Sequence, residues 1–369
     1  MSDAWIDPHR GEIYSADPAD HRELVVWIWY PASSPSNSGS AQPAPYLPES
    51  WAAVGQPLGL DVANVRTHAV ADAPVADSDT PLPVLVLSPS GFSPLLLAAT
   101  AEELASHGYV VVGVNHTYET AVTVFPDGRV VPINPDAIAG ALGPQTGSHD
   151  EVFGRRAAVC DYKAADLATV ADQLARINGD ARHPLNGRLD LGRLAALGHS
   201  FGGDAALEWC RLDSRCRATA NLDGAIWTRV GRVGLSRPAL QLLAPHAEFD
   251  VSPEQAVTNG MAPDTAWFEA EKAITFGGWR TIQDNARPAY TIRIEGASHL
   301  SFMDVPFLPV RSDSPVKPML AATAIDATRM WRIINDALLA FFGRHLAGPA
   351  LPLLDGDTHN YPEVTLGPA

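Results

Sequence analysis

Residues Arg193 to Leu212 read RLAALGHSFGGDAALEWCRL, and their order decides the fold. Arg193 to Leu197 form an apolar, strand-like run, and Asp204 to Leu212 have a helix-like pattern. Between them lies Gly198-His199-Ser200-Phe201-Gly202, with Gly203 behind it. A G-x-S-x-G between a strand and a helix is a nucleophile elbow, a sharp turn that lifts a serine hydroxyl above the strand ends. Such a turn forces Ser200 into a strained backbone region. Side chains at 198 and 202 would collide where strand and helix pass closely, so both positions are Gly. The helix beginning at Phe201 points its free N–H groups and positive end at Ser200, which favours an oxyanion there. The segment is not a phosphate loop, because the Lys-Ser/Thr ending is missing.

The same strand–helix alternation extends outward from this segment. Glu23 to Tyr30 (ELVVWIWY) is β-prone and is followed by a Ser- and Pro-rich surface loop, Pro31 to Pro48. Leu82 to Leu87, Tyr109 to Val114, Leu194 to Leu197, Ala218 to Leu222, Ala239 to Ala244 and Tyr290 to Ile294 are short apolar runs, the form of strands buried on both faces. Pro94 to His107, Tyr162 to Asn178 and Met330 to Leu346 read as helices. In the second, Leu167, Val170, Leu174 and Ile177 lie along one stripe. This predicts one α/β domain over residues 1–369, with a mostly parallel central sheet covered by helices on both faces. Segments 117–154 and 226–287 exceed ordinary connection lengths and are expected to form a rim or cap. The first carries a hairpin, Ala121 to Phe125 with Arg129 to Ile133. The second holds one strand in otherwise irregular sequence.

Among 369 residues there are 42 Asp and Glu against 26 Lys and Arg, a net charge of −16, and 46% are hydrophobic. So acidic a surface, with no basic patch, excludes nucleic acid and anionic membranes as expected partners. No apolar run approaches the roughly 20 residues of a membrane span, so no membrane insertion is expected. Cys160, Cys210 and Cys216 make no CxxC and suit a reducing compartment, with Cys210 in the core. The polar start, Met1 to Trp5, has no secretory leader, so the expectation is a cytoplasmic protein. Composition leaves the oligomeric state open.

A serine hydroxyl needs a base, and the base an orienting carboxylate, in the chain order Ser, acid, His for this fold. His299 directly follows the last predicted strand and is the expected base; His246, after an earlier strand, competes. Asp223 ends one strand and Asp250 follows the next, and position alone does not separate them. His116, Tyr118 and Glu119 end a strand, where they either line a pocket or serve as structural hydrogen-bonding groups, and Trp227, Trp267 and Trp279 form either an aromatic wall or ordinary cap packing. His246, Glu248 and Asp250 lie too close together in one loop to read as a metal site, and no metal or cofactor is expected.

Several motifs resemble the α/β-hydrolase branch of platelet-activating-factor acetylhydrolases and their bacterial esterase relatives. They are Trp29-Tyr30-Pro31-Ala32, Leu87-Ser88-Pro89-Ser90-Gly91-Phe92, Asn115-His116-Thr117-Tyr118, Gly198 to Gly203, Asn221-Leu222-Asp223-Gly224 and Gly296-Ala297-Ser298-His299. The resemblance implies Asp223 as the acid. It also implies an oxyanion hole made by the backbone N–H groups of Phe92 and Phe201, although Ser90-Gly91 stands where the family commonly has His-Gly. The implied activity is hydrolysis of short-acyl esters with water and no cofactor. The alternatives are polyesters, lactones or other activated carbonyls, which one triad also serves, and a non-catalytic binding scaffold.

Overall fold

Six parallel strands form the middle of a nine-stranded sheet in a computed structural model that describes residues 1–33, 42–142, 148–321, 323–346 and 352–367. The chain begins with β1 (Ser2–Gly11), β2 (His21–Trp29), β3 (Leu82–Ser88), α1 (Ala98–Ser106) and β4 (Val110–His116). Then come β5 (Val122–Val124), β6 (Val130–Pro132), α2 (Pro135–Leu142), α3 (His149–Gly179), β7 (Leu189–His199), α4 (Phe201–Leu212) and β8 (Cys216–Leu222). The remainder holds α5 (Val230–Val233), β9 (Ala239–Leu243), α6 (Pro253–Thr258), α7 (Thr265–Asn285), β10 (Ala289–Ile294), α8 (Lys317–Ala321), α9 (Ala327–Leu346) and β11 (Val364–Leu366). Strand order is β1-β2-β4-β3-β7-β8-β9-β10-β11, with β1, β2 and β11 antiparallel to their neighbours. The fold is of the α/β-hydrolase type.

The apolar strand runs form because helices cover both faces. Leu85 and Leu87 pack with Leu104 of α1 and Phe341 of α9. Val84 and Val86 point the other way, toward Leu167 of α3 and Leu207 of α4. Each such fully buried side chain contributes about 1.5–3 kcal/mol relative to exposure.

The strand order also places the crevice. From β3 the chain first adds β4 on one side and later β7 on the other, so the loops leaving β3 and β7 diverge at their carboxyl ends. Ligands of open α/β sheets bind at such a switch point. The loop that begins at Pro89 and the elbow that carries Ser200 leave adjacent strands there.

Several elements differ from the sequence reading. β1 was not expected: it is an edge strand with Pro8 and an exposed Ile6, so its alternation is faint. Helix α3 starts at His149, inside the segment expected to be a rim, because Ser148 and Glu151 form a capping box. The hairpin is present as β5–β6, apart from the main sheet. Segment 226–287 is not mostly irregular, since it contains the 21-residue α7, capped by Asp264 and burying Trp267, Phe268, Thr275, Trp279 and Ile282 on one face. Cys210 and Cys216 are joined in a disulfide, where free thiols were expected. Residues 34–41 of the Ser/Pro loop and 143–147 of the first long segment lie outside the described residues. Among those described, no helix is long and apolar enough to cross a membrane.

Beneath the β3 and β4 loops lies a sealed ionic cluster. The fully buried Arg22 of β2 donates to Asp166 (3.0 and 2.6 Å), Glu12 (2.9 Å), the Thr117 carbonyl (2.9 Å) and Glu119 (3.4 Å). Lys163 pairs with Glu119 at 2.5 Å, and Arg10 reaches Asp166 from the rim. Burial opposes the charge on Asp166, but Arg22 and His116 hold its carboxyl well below the ordinary range. His116 and Glu119 are therefore enclosed in this cluster and take the structural hydrogen-bonding role rather than the pocket-lining one. Arg22→Met would remove the cation shared by three buried carboxylates, so the variant should lose about 3–5 kcal/mol in urea titration.

Candidate active site

The elbow forms as its glycines require. Ser200 adopts φ 58° and ψ −125°, between the end of β7 and the first residue of α4. A Cβ on Gly198 would lie 2.1 Å from the Gly202 carbonyl oxygen. A Cβ on Gly202 would lie 2.0 Å from the Ser88 oxygen and 2.5 Å from that of Pro89. The second collision is with the loop after β3 rather than with the strand leading into the elbow. The Ser200 N–H donates to Leu222 (3.0 Å), and its carbonyl accepts from Gly203 (2.9 Å). Ser200 is buried, with 9% exposure, and its hydroxyl has no hydrogen-bond partner among the described residues.

His299 and Asp223 come together. His299 follows β10 and Asp223 ends β8, and His299 Nδ1 donates to Asp223 Oδ2 at 2.7 Å. That bond leaves Nε2 of His299 as the free basic nitrogen. Asp223 is itself at φ 57°, and its Oδ1 accepts from the Ala244 N–H (2.7 Å). Asp250 is exposed at the end of a turn after β9 and makes no bond to His299 among the described residues.

His246, the competing base, instead takes the other oxygen of Asp223. Its Nε2 is 2.8 Å from Oδ1, and its Nδ1 is 2.7 Å from Glu248 Oε1. Burial lowers its pKa, but the two carboxylates outweigh burial and raise it to about 10. Burial likewise opposes the charge on Asp223, yet His246 and His299 hold that carboxyl well below its ordinary range. The stability His246 gains here is full below pH 6.5 and fades as pH rises toward about 10.

His199, beside Ser200 in the motif, is fully buried, and burial together with the nearby His299 lowers its pKa to about 3. The neutral ring donates from Nε2 to the His299 carbonyl at 3.0 Å, with the rings 4.6 Å apart. It ties the His299 loop to the elbow. No sequence signal marked this role, because x in G-x-S-x-G is unconstrained.

The Phe92 and Phe201 N–H groups have no hydrogen-bond partner among the described residues. The loop carrying Phe92 is held from below. His116 Nε2 lies 3.0 Å from Ser88 Oγ, and Lys163 donates to the Ser90 carbonyl at 3.4 Å. The buried Asp204 of α4 fastens the loop after Asp223, accepting from Trp227 N (2.9 Å), Thr228 N (3.1 Å) and Thr228 Oγ1 (2.5 Å). Trp227 then stacks on Phe201, with ring centroids 4.7 Å apart. Trp279 donates to the Gly224 carbonyl (2.8 Å) and packs on His246 (4.8 Å), while Trp267 packs apart from it, with Phe153 and His149. His116, Glu119 and Asp166 offer ligand atoms close enough for a metal ion, but Arg22 and Lys163 already occupy the space between those carboxylates.

No protein-family model matches the chain. Among curated proteins it is 26% identical over 297 residues to an Arthroderma benhamiae protein named as a probable 1-alkyl-2-acetylglycerophosphocholine esterase, covering 77% of this chain and 65% of that one. It is 25% identical over 330 residues to the platelet-activating factor acetylhydrolase of Cavia porcellus, covering 85% and 70%. Among solved structures, a ferulic acid esterase from Streptomyces cinnamoneus superposes with a TM-score of 0.73 at 30% identity, over 99% of this chain and 94% of that one. The chain thus spans just under two thirds of the fungal relative's length.

The close approach of Gly202 to the β3 loop has a measurable consequence. Gly202→Ala must push the Ser88 and Pro89 carbonyls aside, and overpacking of this kind costs about 3 kcal/mol. Urea unfolding should show that loss, whereas Gly154→Ala, where a Cβ meets nothing within 4 Å, should show none of it.

Proposed function

We propose that this chain, which belongs with the α/β-hydrolase esterases represented by the Streptomyces enzyme and is similar to platelet-activating-factor acetylhydrolases, hydrolyses short-acyl carboxylic esters through Ser200, His299 and Asp223. The observation that carries the reading is the 2.7 Å bond from His299 to Asp223, on strand-end loops beside a serine at φ 58°.

In this scheme His299 Nε2 takes the Ser200 proton while Oγ attacks the ester carbonyl carbon. The carbonyl oxygen becomes an oxyanion and is held by the Phe92 and Phe201 N–H groups. An interaction of this kind contributes about 3 kcal/mol per donor. The C–O bond to the alcohol then breaks, and the alcohol leaves with the proton from His299. Water attacks the acyl-enzyme, gives its proton to His299, and releases the acid and free Ser200. Asp223 keeps its charge throughout and orients the ring. The chain acts as one domain, with the described residues of segments 117–154 and 226–287 at the rim of the crevice.

The fungal and guinea-pig relatives, named for acetyl esters, favour a short acyl group. The Phe201–Trp227 stack next to Ser200 and the likeness to the Streptomyces enzyme favour a second reading, esters of aromatic acids.

Ser200→Ala should lower turnover by on the order of 10^5-fold or more without changing the circular dichroism spectrum. Full hydrolysis in that variant defeats the scheme. Asp223→Asn should cost on the order of 10^4-fold in kcat and Asp250→Asn far less; the reverse order names Asp250 as the acid. Rates on p-nitrophenyl acetate, butyrate and decanoate, set against methyl ferulate, separate the two substrate readings.

A further inference from the structure

Asp223 faces two histidines, and the triad uses one. Its Oδ2 serves His299 and its Oδ1 serves His246. His246 is gripped on both ring nitrogens by acceptors that carry no proton, Asp223 at 2.8 Å and Glu248 at 2.7 Å. Each nitrogen must therefore present an N–H, and the ring is an imidazolium. Its position is fixed by a left-handed backbone at φ 56°, by Trp279 of α7 packed at 4.8 Å, and by Phe249 in the following turn.

We propose that His246 is a resident cation of the active site: it positions the Asp223 carboxylate and partly discharges it, so that His299 gives up its proton readily and stays a free base to lower pH. This rests on the reading of Ser200, His299 and Asp223 as the triad. His246 touches no substrate and is a positioning residue, and it sets where on the pH scale the reaction turns on.

The sign follows from Coulomb's law. Protonated His299 is stabilised by Asp223 and opposed by a positive charge on that carboxylate's other oxygen. Removing the second charge strengthens the His299 imidazolium, and the base is then silenced up to a higher pH. The other ionisable groups around the pair do not substitute for His246. Glu248 and the exposed Asp250 on the β9 loop are anionic. Lys272 of α7 donates to the Phe249 carbonyl rather than to Asp223. On the β7 side, His199 is buried and neutral.

The test is kcat/KM against pH for the full chain on p-nitrophenyl acetate, with His246→Gln and His246→Lys. Gln keeps a donor to Asp223 without charge, and Lys keeps the charge. The acid limb should rise by about one pH unit in the Gln variant and stay near its original place in the Lys variant. A merely structural role lowers kcat and leaves the acid limb unmoved in both variants; that outcome overturns the proposal. Equal shifts in both variants also overturn it, since hydrogen-bond geometry rather than charge would then be responsible. If the Gln variant does not fold, ¹⁵N NMR of the unaltered chain at pH 8 decides: two protonated ring nitrogens on His246 uphold the proposal, and a neutral ring ends it. Ser200→Ala run alongside separates the failures, because full activity there defeats the triad reading itself, whatever His246 does.

Discussion

Gly202 lies directly against the backbone carbonyls of Ser88 and Pro89. A single Cβ there would sit 2.0 Å from an oxygen, so the loop leaving β3 can rest against the first turn of α4 only because position 202 has no side chain. This contact joins the two halves of the crevice at the point where the strand order reverses. The N–H groups of Phe92 and Phe201, which have no hydrogen-bond partner among the described residues, belong to the two segments that this contact joins.

The loop after β3 needs support from the opposite side, and a charged cluster supplies it where apolar packing would normally do so. Arg22, Lys163, Glu12, Glu119 and Asp166 are all nearly or fully buried, and the ion pairs exist because each charge finds several partners at once. In a medium of low dielectric such a network is rigid but unforgiving, since one lost partner leaves the others uncompensated. His116 connects it to Ser88 while its own pKa is lowered by burial to about 4, so the ring links the cluster to the loop without adding charge.

Local features were legible in the sequence and nonlocal ones were not. The elbow is encoded within six residues, and its glycines and flanking apolar runs can be read without knowing the fold. The parallel strands are equally plain, because burial on both faces demands unbroken apolar runs. Helix α7 was hidden by Gly277-Gly278 at its middle, although Gly278 is there because Ile226 packs close against it, its Cβ 3.0 Å from where one on Gly278 would stand. The start of α3 was signalled by Ser148 and Glu151, and its overlap with a long connection masked it. Arg22 could not have been recognised as a buried hub, since its acceptors come from residues 12, 117, 119 and 166. The Cys210–Cys216 pair was likewise obscured, because one cysteine ends a helix and the other begins a strand.

The choice between Asp223 and Asp250 shows the same limit more sharply. Asp223 directly follows β8 and Asp250 lies in the loop after β9, and chain order admits either. What distinguishes them is the direction of the loop after β9. At His246 the backbone enters a left-handed turn, which sends Asp250 out to solvent and aims the His246 ring back at Asp223. The strand that might have delivered a carboxylate to His299 therefore delivers a cation to the carboxylate already there. A cation offsets the one anion present, and Glu248 behind it keeps the ring charged. The electrostatics of the site are thus set by a loop that contributes no group to the His299–Asp223 bond itself.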